Sequence, residues 1–383
     1  MGFSCSRREF FKAVTGTLCF TSIASESFGQ SEILKLMGES EARSDELPLK
    51  ESMYYKKLEN LKIQCEICPR KCSVADLERG YCGNKENREG KYYELVYSRP
   101  CVLHVDPIEK KPLFHYLPGT TALSLATAGC NIECRFCQNW RISQFRPEQV
   151  ESYDLSPEEI VRLAKGYKAP TIAYTYSEPV VFYTYMYDTA QLAKKEGVGS
   201  VMISNGYIAE EPLVDLCKHL SAVKVDLKAF TEKFYKETCS GELAPVLHAL
   251  ETLKKIGIWY EIVVLIIPTL NDDEKEIREM SLWIKGHLGT EVPVHFTRFS
   301  PMYKIKNLPP TPVTSLEKAR NIAMEAGLKY VYIGNVYGHK GESTYCPNCG
   351  KVVVGRIGFE ILEKNIEDGK CKFCKHIIAG VWS

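Results

Sequence analysis

From position 123 onward, short apolar runs alternate with longer stretches in which apolar positions recur three and four apart. Seven runs read as buried strands: 123–127, 171–176, 200–204, 222–227, 260–267, 294–299 and 330–333. Between them, 156–167, 180–196, 210–219, 272–287 and 314–326 carry the helical period. The first of these has its own start signals: Ser156 at the N-cap, Pro157 in the first turn, and Glu158 and Glu159 placed to complement the helix dipole. Strand and helix in alternation predict a parallel sheet with helices outside it. The fold class is therefore α/β, and six to seven such units fit a partial, TIM-type (β/α) barrel. An open doubly wound sheet is the competing architecture, but no Gly-x-Gly-x-x-Gly follows the first strand.

The flanking segments lack this alternation. Residues 1–28 open on Ser6-Arg7-Arg8-Glu9-Phe10-Phe11-Lys12, then a mildly apolar stretch with a small-residue cleavage pattern at Ser22-Ile23-Ala24. This resembles a twin-arginine export leader, the plainer alternative being an amphipathic helix with a chance Arg pair. Residues 29–60 are polar and charged, which predicts a linker with a short helix. A Cys-rich module and Pro-rich lead-in occupy 61–119, the barrel 120–338, and a second Cys-rich module 339–383. No run reaches eighteen apolar residues, so no membrane-spanning helix is expected.

At 383 residues the chain can hold one large domain and smaller modules. Lys+Arg 49 against Asp+Glu 48 leaves no electrostatic footprint for nucleic acid or an anionic membrane. Of the 16 Cys, eleven fall in three clusters, a pattern of metal ligation and not of a disulfide framework. The other five, Cys5, Cys19, Cys101, Cys217 and Cys239, are scattered.

Each cluster has its own spacing. Cys65, Cys68, Cys72 and Cys82 offer four ligands within eighteen residues, suited to a closed site holding structural zinc or an auxiliary 4Fe–4S cluster. Cys346-x2-Cys349 and Cys371-x2-Cys374 form paired knuckles, the signal of a zinc ribbon, with a rubredoxin-type iron as the alternative. Cys130, Cys134 and Cys137 supply only three thiolates. A cubane cluster takes one thiolate per iron, so three leave one iron open to an outside ligand. A zinc ion completed by a distant His such as His115 is the plainer reading, although zinc usually takes paired x2 spacings.

Chemistry in such barrels sits at the carboxyl ends of the strands. There this chain places the three Cys, Tyr176-Ser177-Glu178-Pro179, Asn205-Gly206-Tyr207, Asp226-Leu227-Lys228 and Arg298-Phe299-Ser300-Pro301. Any one of these fits a turn, whereas five on one rim fit an active site. Arg298 suits a bound carboxylate or an acidic partner equally. Cys239 reads as a spectator thiol before a radical relay, and the tyrosines at 174, 176, 183, 185 and 187 as packing residues.

The stretch ATAGCNIECRFCQNW (126–140) resembles the radical S-adenosylmethionine (radical SAM) signature, with Phe136 at its aromatic position. The resemblance implies a 4Fe–4S cluster on Cys130, Cys134 and Cys137, its open iron chelated by S-adenosylmethionine (SAM), with Phe136 beside the adenine. One-electron reduction would then cleave SAM to methionine and a 5′-deoxyadenosyl radical. Ser177-Glu178-Pro179 takes the place of the family's Gly-Gly-Glu-Pro, with Tyr176 and Ser177 replacing the glycines and Glu178 implied at the SAM amino group. Asp226 and Lys228 match a motif of glycyl-radical activating enzymes that positions SAM, and Asn205 is implied as a ribose or carboxylate partner.

Over 61–382 the chain looks like the AmmeMemoRadiSam-system radical SAM enzymes, relatives of pyruvate formate-lyase-activating enzyme. The resemblance runs through DPIEKKPL (106–113), CQN (137–139), AYTYSEP (173–179), SNGY (204–207), DLK and the final Gly380-Val381-Trp382. It implies an oxidoreductase-type enzyme that abstracts hydrogen from an unidentified small-molecule or protein substrate, fed by a low-potential donor of flavodoxin or ferredoxin type. A glycyl-radical activase is the alternative within this chemistry; a multi-centre electron carrier or metal scaffold without SAM turnover is the rival from another class. SAM and such donors are cytoplasmic, which pulls against the export leader.

Overall fold

The seven apolar runs become seven parallel strands. In the computed structural model, which describes residues 49–383, they belong to an eight-stranded sheet whose strands follow one another in chain order. The strands are β1 (Val102–Pro107), β2 (Thr121–Ala126), β3 (Thr171–Tyr174), β4 (Gly199–Ser204), β5 (Ala222–Asp226), β6 (Trp259–Ile266), β7 (Val294–Arg298) and β8 (Val331–Gly334). Only β1 is antiparallel, paired to β2; β2 to β8 run parallel. A doubly wound sheet reverses its strand order at a switch point, and this sheet has none.

A helix crosses over between each pair of parallel neighbours: α1 (Pro157–Gly166), α2 (Tyr183–Lys195), α3 (Glu210–Cys217), α4 (Leu243–Ile256), α5 (Glu274–His287) and α6 (Val313–Glu325). The expected start of α1 is made in full. Ser156 Oγ accepts from Glu159 N and Glu159 Oε2 accepts from Ser156 N, which satisfies two of the orphan donors of a helix start.

Two elements depart from the sequence reading. The lead-in 99–119 contains β1, whose alternation His104-Val105-Asp106 and terminal Pro107 read as loop. The stretch expected as linker contributes strands instead: Lys50–Glu51 pairs with Lys91–Glu94, and Tyr55–Lys57 pairs with Ile63–Cys65. The sheet holding Lys91–Glu94 docks on the start of α2, where Glu94 accepts from the backbone N–H of Thr184 and Tyr185 (both 3.0 Å) and pairs with buried Lys85 (2.7 Å). A carboxylate at a helix N-terminus meets both free N–H groups and the positive end of the dipole.

The amino end of the sheet is plugged by the lead-in after β1. Phe114 N and His115 N donate to the buried Glu261 carboxylate on β6 (3.0 and 2.7 Å), and His295 Nε2 donates to it from β7 (2.7 Å). His115 Nδ1 can only donate to Ala379 O (2.6 Å), so its Nε2 accepts from the Tyr332 hydroxyl (2.5 Å). Below this plug packs the C-terminal module, an antiparallel sheet of Thr344–Tyr345, Val352–Ile357 and Glu360–Lys364, with Val353, Val354 and Ile366 against Phe114, Tyr330 and Tyr332. The leader expected at 1–28, with Cys5 and Cys19, lies outside the described residues. Among the described residues no helix is long and apolar enough to cross a membrane.

Candidate functional site

β2 ends at Ala126 and the chain turns at once into the cysteine loop. Gly129 sits at φ 93°, with the Asn84 amide packed where a Cβ would stand and Asn84 Nδ2 donating to Ala128 O. Arg70 Nε donates to Asn131 O (2.5 Å), so the N-terminal Cys-rich segment holds this loop from both sides. From β4, Asn205 Nδ2 donates to Asn131 Oδ1 (2.9 Å) and faces Cys130 Sγ at 3.8 Å. After β5, Cys239 O and Thr238 O accept from the backbone N–H of Glu133 and Arg135 (2.8 and 2.9 Å). Three separate elements thus fix where the thiols point.

The thiols open on a cavity of about 460 Å³, within the usual range for small-ligand sites. Phe136, Glu178, Asn205, Asp226 and Lys228 line it as well, so the five residues the resemblance assigned to SAM meet the cysteine triplet in one space. The lining continues to Thr297 of β7 and Asn335 beyond β8, which makes this the concave face of the sheet.

Each group is tied in a specific way. Glu178 accepts from Ser204 Oγ (2.6 Å), Asn205 N (2.8 Å) and Val180 N (3.2 Å); burial pushes its carboxyl up to about 7 against those bonds. Burial also pushes the Asp226 carboxyl up, but Lys224 and Lys228, both bonded to it, outweigh burial and hold it at about 2. Phe136 packs on Phe234 with ring centres 6.0 Å apart. Ser177 Oγ is buried in the cavity wall with no hydrogen-bond partner among the described residues, leaving a donor and an acceptor for a ligand. Asn205, by contrast, spends its side chain on Asn131, Cys130 and the Tyr207 N–H, and so acts on the cysteine loop itself.

The three cysteine groups differ in how tightly they converge. Cys346 and Cys374 bring their sulfurs to 3.6 Å, and Cys349 and Cys371 to 3.8 Å, with all four within 4.8 Å of one another. A tetrahedral ion with metal–sulfur bonds of about 2.3 Å sets its thiolates about 3.8 Å apart, so this group fits one metal ion. Among the described residues neither the triplet nor the N-terminal four thiols draw in so closely. Wider separation is what thiolates on different irons of one cluster require.

Three readings change, and that of Cys239 does not. His115 is no ligand for the triplet, since both ring nitrogens are used in the plug. Arg298 does not line the cavity, and its Nε donates to Thr311 O (2.9 Å). Cys239 is buried with its thiol against that of Cys134. Tyr176 is not a packing residue: it lines the cavity at φ 66°, and its hydroxyl donates to Asp106.

Sequence reasoning missed Asp106, Lys110, Lys111 and Lys224. Lys224 carried a signal, because it lies two residues before Asp226 in an apolar strand and so shares its face. Asp106 and its lysines lay within DPIEKKPL, a stretch of the resemblance, but nothing local tied them to the site, since their partner Tyr176 is 70 residues away.

The Radical SAM superfamily model matches residues 124–281. An uncharacterized protein of Methanocaldococcus jannaschii is 48% identical over 328 residues, covering 85% of this chain and 98% of that one. Pyruvate formate-lyase-activating enzyme of Clostridium pasteurianum is 21% identical over 220 residues, covering 52% of this chain and 87% of that one. Among solved structures, a radical SAM methyltransferase from Sphaerobacter thermophilus is 15% identical, covering 59% of this chain and 71% of that one with a TM-score of 0.46.

Proposed function

The chain belongs to the radical SAM superfamily, and on that premise we propose an enzyme in which Cys130, Cys134 and Cys137 hold a 4Fe–4S cluster and the adjoining cavity holds SAM. The observation that carries this reading is the meeting of the three thiols with Phe136, Glu178, Asn205, Asp226 and Lys228 around one cavity. The donor set fits the group: three thiolates leave one iron open, and the orphaned Ser177 hydroxyl offers a polar contact in the wall beside it. When bound, cluster and SAM supply a 5′-deoxyadenosyl radical that abstracts hydrogen from the substrate.

The chain's own part is positioning. Ionised Asp226, bonded to both Lys224 and Lys228, holds these two lysines in place in the cavity wall. Glu178 and Asn205 lock the exit of β4 onto the cysteine loop, and Phe136 gives an apolar wall. Residues that act through such fixed geometry cost no reorganisation at the moment of reaction.

We assign the C-terminal four thiols to zinc, as a ribbon over 339–383, and the N-terminal four to a second iron–sulfur cluster within 61–119, with the SAM barrel at 120–338. The segment that bears the N-terminal thiols grips the cysteine loop through Arg70 and Asn84, which supports a cluster there beside the first. A low-potential flavodoxin or ferredoxin would supply the electron. The likeness to an enzyme named pyruvate formate-lyase-activating enzyme supports a second reading, in which the substrate is a glycyl-radical protein.

The test is anaerobic reconstitution followed by dithionite and SAM. The reading expects 5′-deoxyadenosine from wild type and none from Cys137→Ala. Protein with an intact cluster that forms no 5′-deoxyadenosine would sink it and leave an electron carrier.

A further inference from the structure

Two Lys–Asp–Lys trios face each other across the cavity. Asp106 bonds Lys110 (2.8 Å) and Lys111 (2.5 Å) on one wall, and Asp226 bonds Lys224 and Lys228 (2.9 Å) on the other. Each carboxylate balances one of its two ammonium groups, so each trio keeps one positive charge. The trios approach each other at Lys111 and Lys224, whose charges act on one another although both side chains are nearly sequestered, at 2% and 6% exposure.

The Cys134 thiolate offsets part of this excess at Lys228, and neighbouring carboxylates do not cancel what remains on Lys110, Lys111 and Lys224. Glu261, level with Lys224 in the sheet, already accepts from Phe114 N, His115 N, Trp259 Nε1 and His295 Nε2, and Arg356 lies on the same plug. Glu178 sits among bonds of its own and is pushed toward its neutral form by burial. Buried like charges without a counter-ion are costly, and ammonium groups with spare N–H donors demand an acceptor. Lys224 has one acceptor, Asp226, among the described residues.

A second observation falls on the same spot. Tyr176 holds a left-handed φ of 66°, rare for a bulky residue, and that backbone turns its hydroxyl onto Asp106 and within 3.4 Å of Lys111 Nζ. Conformations of this cost persist where the surrounding structure imposes them, commonly at ligand clamps. SAM brings a sulfonium and an amine against one carboxylate, so its arrival does not neutralise four lysines facing two aspartates.

We propose that this end of the cavity binds an anionic group of the substrate, a carboxylate or a phosphate, held by the ammonium groups of Lys110, Lys111 and Lys224, with the Tyr176 hydroxyl fixing Asp106 behind them. The word substrate rests on the radical reading above; the anion site itself rests only on the chain. Lys110 reaches the cavity from a partly exposed position and so forms the entrance side of the site, with Lys111 and Lys224 inside.

The test is calorimetric titration of the cluster-reconstituted protein at low salt with inorganic phosphate and, separately, malonate. Saturable binding is expected, stronger for whichever anion class matches the substrate. It should weaken at least tenfold in Lys111→Met and Lys224→Met, and several-fold in Lys110→Gln, whose exposed side chain can be lost without risk to folding. In the presence of SAM the anion should still bind. No saturable binding of either anion, or binding unchanged in Lys110→Gln and Lys111→Met, overturns the proposal. So does displacement of the anion by SAM, which would give the lysines to the cofactor's own carboxylate. Lysine-dependent anion binding by protein that forms no 5′-deoxyadenosine would leave this site standing while the radical reading fails.

Discussion

Tyr176 donates its hydroxyl to Asp106 from a backbone held at φ 66°, at a position where the radical SAM pattern carries glycine. Glycine takes such a φ without steric cost, whereas a residue with a Cβ pays roughly 1–2 kcal/mol. The side chain returns something for that cost: it reaches from the end of β3 to β1 and joins the Asp106–Lys111 pair. Asn139 fixes the same residue from the cysteine loop, its Nδ2 donating to Tyr176 O (2.7 Å). One residue therefore ties the loop that bears the thiols to the lysines on the opposite wall.

Replacing that hydroxyl separates the two effects. Tyr176→Phe keeps the strained backbone and removes a hydrogen bond to a charged acceptor, and should lower stability by about 1.5–3 kcal/mol in urea unfolding. Tyr176→Gly removes the strain as well as the ring, so its loss should be partly offset by the relaxed backbone. Equal midpoints for wild type and Tyr176→Phe would mean that the bond to Asp106 contributes nothing.

Gly129 is the other backbone device in the site. A Cβ there would collide with the Asn84 side chain, and a φ of 93° is itself unfavourable for any residue but glycine. Gly129→Ala should cost at least about 1–3 kcal/mol and shift the loop that carries Cys130. The reconstituted protein should then show less visible absorbance from the triplet's cluster. Adding Asn84→Ala removes the collision but not the φ penalty, so the double variant should recover only part of the absorbance.

Metal content distinguishes the closed sites. Reconstituted wild type should carry one zinc and about eight irons per chain, four for each cubane cluster. Cys349→Ser should lose the zinc, keep the iron and melt earlier, because structural zinc contributes directly to folding. Cys68→Ala should lose about half of the iron and keep the zinc. Loss of zinc instead of iron from Cys68→Ala would reassign the N-terminal group to zinc.

What could be read from the sequence follows from where partners lie. Strands buried on both faces appear as unbroken apolar runs, so β2 to β8 were legible together with the polar residues at their ends. The cysteine groups were legible because their ligands are close in sequence. β1 was not, since a strand carrying His104 and Asp106 resembles a loop until Tyr176 and Lys111 are brought against it. Tyr176 was hidden among the neighbouring tyrosines, of which Tyr174, Tyr183 and Tyr185 are fully buried. No local pattern separates a packed tyrosine from one aimed into a cavity.

The plug beneath the site should make stability depend on pH. His115 is enclosed by Tyr332, Trp259, Trp382 and the Ala379 carbonyl, with Glu261, His295 and Arg356 the charged or titratable groups facing it. Burial pulls its imidazole down to about 4 despite the Glu261 carboxylate, so the folded protein keeps it neutral at pH 7. The unfolded chain protonates the same ring near 6.5. Between those values the unfolded state holds more protons, so stability falls as pH drops from about 6.5 to about 4 and is flat above and below for this group. A displacement of this size corresponds to roughly 3 kcal/mol, more than half of it gone by pH 5. His295 is pulled down by burial as well and adds loss of the same sign. Urea unfolding at pH 7.5, 6 and 5 should show this slope in wild type. His115→Gln should be weaker at pH 7.5, because Tyr332 and Ala379 lose a fitted partner, yet its stability should fall less steeply with acid. Parallel slopes in the two proteins would assign the acid sensitivity to a different group and leave His115 a purely structural strut between the sheet and the C-terminal module.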